Sequence, residues 1–173
     1  METRVRTQTV RVRVLGPPLP RSAYELLVRT RELPAAVDTA LALPHVRFIL
    51  DHLAKPPIAA GGDALAAWAH ALRLLAALPN VAAKVSGLVT EADWSSWAVD
   101  DLAGPVRVAL EAFGPERLLF GSDWPVCLVA APYDRVLDAS REALHRAGLT
   151  RSHPLGSGRR ARAARTAGRA CRR

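Results

Sequence analysis

Cysteine is scarce in this sequence: Cys127 and Cys171 are the only two, and no CxxC pair occurs. That argues against a disulfide framework or a zinc finger and makes a reducing cytoplasm the expected compartment. No run of about 18 uncharged apolar residues exists, so no membrane-spanning helix is expected. The opening "METRVRTQTVRVRVLG" has arginines but lacks the apolar core of a secretory signal. Neither GxGxxG nor GxxxxGKS/T is present, which argues against a phosphate-cradling loop. Aromatic residues make up only 5% of the chain, and none falls in the closing segment "GSGRRARAARTAGRACRR". Clustered arginines neutralise phosphates, but without stacking residues or a known binding module nucleic-acid binding is disfavoured.

Acidic residues are nearly absent from both ends. Residues 1–22 carry five arginines and one acid, Glu2, and residues 151–173 carry eight arginines and no acid. Of 24 basic and 16 acidic residues in all, 11 and 15 remain for residues 23–150, so a mildly acidic body lies between basic ends. The expected organisation is a basic leader over 1–22, one domain over 23–150, and an arginine-rich disordered tail over 151–173. Both ends are expected to pack poorly against the body. The alternation "VRVRVL", Val10 to Leu15, is the one part of the leader patterned like an edge strand.

What is present is a body that alternates strand and helix. "YELLV" (24–28), "VRFILDH" (46–52), "NVAAKVSG" (80–87) and "RLLFGSD" (117–123) read as strands. Helices are expected over 32–43, 63–78, 98–113 and 133–148, the third interrupted near Gly104-Pro105 because proline inside a helix breaks its ladder. Strands alternating with helices of this length form parallel β-α units. Strand ends fall at Asp51, Val85 and Ser122, separated by 34 and 37 residues. They deliver His52, Lys84 with Ser86, and Asp123 to one end of a parallel sheet, where barrel enzymes keep their chemistry. Asp123 ends an apolar run and precedes Trp124-Pro125, so it reads either as a carboxylate at a strand mouth or as the cap of the next turn.

"FILDHLAKPPI", "NVAAKVSGLVTEADW" and "ERLLFGSDWPV" resemble, in order and spacing, consecutive motifs of the amidohydrolase superfamily. They are most similar to its branch of sugar-lactone and 2-pyrone-4,6-dicarboxylate lactone hydrolases. The resemblance covers about residues 23–150. It implies an α/β fold, the carboxyl-terminal half of a TIM-like (β/α)8 barrel, with about four β-α units. It assigns His52 and Asp123 as catalytic residues, and as metal ligands if a divalent metal such as zinc is retained; a metal-free site is the alternative. Ser86 and Trp124 are assigned to substrate contact, with backbone bonding and packing under a loop as their alternatives. Lys55 reads as a solvated loop charge, and Trp94 and Trp97 as substrate contacts or rim cover. The implied reaction is hydrolysis of a sugar lactone or similar cyclic ester.

The family opens with an HxH pair, whereas the five histidines here (His45, His52, His70, His145 and His153) contain none. An Asn-Ala-x-Arg-x-Tyr-like ending is also missing. The expectation is therefore a truncated form with little activity alone. Its open strand edges and an apolar inner face would drive homo-oligomerisation or aggregation. The competing reading is a non-enzymatic fragment whose basic tails bind nucleic acid or another acidic partner.

Overall fold

The computed structural model describes residues 12–13 and 23–149. Five strands form one sheet in the order β1-β2-β3-β4-β5: β1 is Val12–Arg13, β2 Ala23–Leu26, β3 Arg47–Leu50, β4 Val81–Val85 and β5 Leu118–Phe120. β2 to β5 run parallel, each following its predecessor through a helix: α1 (Leu33–Ala42), α2 (Gly62–Ala76) and α3 (Val99–Phe113). α4 (Tyr133–Arg146) closes the series. These are the four β-α units that the apolar runs announced, arranged as the half-barrel that the family resemblance implied. β1 pairs antiparallel with β2, Val12 opposite Leu26 and Arg13 opposite Glu25, so Val12–Arg13 of the "VRVRVL" alternation forms an edge strand. The remainder of both basic ends lies outside the described residues.

The period of two sorts the strand side chains onto two faces. Leu26, Phe48, Leu50, Val81, Ala83, Val85 and Leu118 are buried within the apolar core shared with the helices. Glu25, Arg47, Ile49, Ala82, Lys84 and Leu119 alternate with them on the opposite, half-buried face. The face expected to be apolar thus carries charged residues among apolar ones. Lys84 ion-pairs there with Glu25 and, at 2.7 Å, with Asp51. Burial pulls the Lys84 ammonium down, but hydrogen bonds to Asp51 and Glu25 and the charges of both outweigh it, and its pKa is raised.

α3 runs unbroken through Pro105, contrary to the expected interruption. Pro105 is buried on the helix's packed face. It removes one backbone donor, and the packing of Leu102, Val106 and Ala109 in the core offsets that loss. Asp101 accepts from the Ala98 N–H at 2.8 Å at the helix start. Arg117 ties the α3–β5 connection to the sheet by donating to the Leu78 and Val81 carbonyls at 3.0 and 3.1 Å.

Candidate active site

β3 ends at Leu50, and the chain then does something its residue types do not advertise. His52, Leu53, Ala54 and Lys55 have φ of 51°, 50°, 58° and 56°, one turn of left-handed helix built without glycine. For L-residues this costs about 1–2 kcal/mol each, so the surroundings must enforce it. Leu53 and Ala54 are fully buried. Trp68 Nε1 donates to the Leu53 carbonyl at 2.7 Å, and the Thr30 hydroxyl reaches the Ala54 and Lys55 carbonyls at 3.4 and 3.3 Å. Lys55 is not a solvated loop charge: its Nζ lies 2.8 Å from Glu91 Oε1. The tight turn swings the His52 ring over the end of β4.

There His52 Nδ1 lies 2.9 Å from Ser86 Oγ, and its Nε2 lies 3.6 Å from Asp123 Oδ1. The first distance is a hydrogen bond and the second an ion-pair separation. Asp123 itself has φ 59°, and its carbonyl accepts from the Cys127 N–H at 2.9 Å, which fixes the turn after β5. Its side chain is 9% exposed, and Oδ2 is buried without a hydrogen-bond partner. An orphaned buried carboxylate oxygen costs about 1–3 kcal/mol or more, which marks it as a place where a proton or a ligand belongs.

Two glycines make room. A Cβ on Gly87, whose φ is 63°, would stand 2.9 Å from His52 Nδ1 and 3.0 Å from Asp123 Oδ2. A Cβ on Gly121 would stand 3.1 Å from the Ser86 Cβ. Burial, and then the negative charge of Asp123, push the Cys127 thiol up, so it packs rather than reacts.

The structure therefore brings His52, Ser86 and Asp123 together from three consecutive strand ends. It does not bring Trp124 with them: that side chain is 65% exposed, and its peptide bond to Pro125 is cis. Trp97 is buried, donates to the Ala130 carbonyl at 3.2 Å and carries Arg135 over its ring, which is rim cover. Trp94 is exposed and donates to the Thr90 carbonyl. His45, His70 and His145 are exposed, and His153 lies outside the described residues. Sequence reasoning missed the Glu25–Lys84–Asp51 cluster.

A structural zinc centre takes four protein ligands, and a catalytic one three with an open position. His52 Nε2 and Asp123 supply two suitable donors. No group of three or more His, Cys, Asp or Glu among the described residues could hold a metal. These residues thus offer part of a metal site and do not by themselves complete one.

Known proteins resemble this chain over the region that holds these residues. The chain is 49% identical over 120 residues to an L-fucono-1,5-lactonase of Burkholderia multivorans, covering 65% of this chain and 40% of that protein. An L-fucono-1,5-lactonase of Burkholderia ambifaria is 44% identical over 121 residues, covering 64% and 37%. A Burkholderia multivorans amidohydrolase solved with zinc bound superposes with a TM-score of 0.71 at 44% identity, covering 76% of this chain and 49% of that one. The chain thus spans about two fifths of the length of these lactonases and half of that solved structure. With residues 23–164 matching the amidohydrolase family model, the chain belongs to the amidohydrolase family.

Proposed function

We propose that this chain carries the acid–base part of a lactone-hydrolysing site, with Asp123 and His52 as its catalytic residues. The observation that supports it best is the buried, unpartnered Asp123 Oδ2 beside His52 at the carboxyl ends of parallel strands. A carboxylate that no protein donor satisfies is free to accept a proton from water. As that water adds to the lactone carbonyl carbon, its proton passes to Asp123. His52 Nε2–H stabilises the developing oxyanion. When the ring C–O bond breaks, Asp123 returns the proton to the departing alkoxide, and the product is the open hydroxy acid. The substrate class follows from the named lactonases that the chain resembles.

The competing reading, a binding fragment with basic tails, rests on segments outside the described residues. With two metal donors brought together among the described residues, the chain alone is expected to show little ring opening. The test mixes it with the amino-terminal half of the Burkholderia multivorans L-fucono-1,5-lactonase and follows opening of L-fucono-1,5-lactone. Ring opening in the mixture, reduced about a thousandfold or more by Asp123→Asn, is the expected result. Opening that survives that substitution overturns the assignment, as does a stable mixture with no activity.

A further inference from the structure

Ser86 is the only side chain within hydrogen-bond distance of His52 Nδ1 among the described residues, at 2.9 Å. It is 5% exposed, so bulk water does not compete for it. Its hydroxyl makes no other hydrogen bond among the described residues. On the far side of the ring, Asp123 Oδ1 faces Nε2 at 3.6 Å. A carboxylate there favours a proton on Nε2, because a lone pair turned toward it would be repelled. A neutral ring with its proton on Nε2 has an acceptor at Nδ1, and a hydroxyl is able to donate to it.

We propose that, while no metal is bound at Nε2, Ser86 is a positioning residue whose hydroxyl donates to His52 Nδ1, holding the neutral imidazole with its proton on Nε2, toward Asp123. Its catalytic meaning rests on the function proposed above; its geometry does not. The choice of serine has a physical consequence. A backbone carbonyl or a carboxylate can only accept, and would hold the opposite tautomer. Gly121 and Gly87 leave the space in which this contact is made, since a Cβ on either would press on Ser86 or on the ring.

The test reads the ring nitrogens of the full chain by 15N magnetic resonance, with the His52 signals assigned through His52→Asn. Measurement is at a pH where the shifts themselves report a neutral ring. The wild type is expected to show a protonated Nε2 and an acceptor-type Nδ1. Ser86→Ala should raise the Nδ1–H population severalfold, and Ser86→Thr should restore the original pattern. A wild-type ring protonated on Nδ1 overturns the proposal whether or not a variant folds, as do unchanged shifts in a folded Ser86→Ala. If the tautomer responds as expected while the mixture opens no lactone, the functional reading fails and the positioning role stands.

Discussion

Lys84 places one ammonium between two carboxylates on the face of the sheet that the helices leave uncovered. Its pKa lies above the ordinary 10.5. The stability contributed by its charge is therefore complete below that ordinary value and is lost as the pH climbs through the raised one. Lys84→Met should cost about 2–3 kcal/mol at pH 7, because Glu25 and Asp51 then face each other without a cation. Urea titrations of both proteins should show the gap narrowing above about pH 10.5; a gap that stays constant to the highest pH would remove the charge from the account. None of this was legible beforehand. Glu25, Lys84 and Asp51 sit on or beside three different strands, and only the register of the sheet brings them together. His52, Ser86 and Asp123 were easier to place, because each ends an apolar run and parallel strands share one carboxyl end. The partner of Ser86 was not, since a hydroxyl bonds backbone as readily as a ring.

At the scale of elements, the left-handed turn from His52 to Lys55 sets the direction of the His52 ring. Nothing in "DHLAK" announces positive φ, which sequence patterns signal through glycine or asparagine. The turn is imposed by tertiary contacts, chiefly the bond from the buried Trp68 indole of α2 to the Leu53 carbonyl. Trp68→Phe keeps most of the apolar volume and removes that donor. It should lower unfolding stability by about 1–3 kcal/mol, the cost of an unsatisfied buried carbonyl. It should also speed amide exchange in residues 52–55 more than in the strands. Uniform exchange across the fold would show that the turn stands without the indole. The alternation of strand and helix was legible because each element carries its own apolar period; the continuity of α3 through Pro105 depended on packing that no local pattern encodes.

As a whole molecule, the half-barrel ends at β5, which pairs with β4 alone among the described residues. Beside it stand exposed apolar side chains: Phe120, Trp124, Val126, Leu128, Val129 and Tyr133. This flank is where self-association is expected, through strand edge and loop together. Leu128, 54% exposed, can take a charge without disturbing the core. Leu128→Asp should move the association midpoint in light scattering about tenfold higher in concentration, equivalent to about 1.4 kcal/mol. An unchanged midpoint would place the contact elsewhere. The opposite flank behaves differently, because β1 already lies antiparallel on β2. A parallel strand arriving at β2, as closure of a barrel would require, cannot simply add to the sheet. It must first displace the Val12–Arg13 ladder, so pairing at β5 is an addition, while pairing at β2 is an exchange whose rate depends on how readily two residues let go.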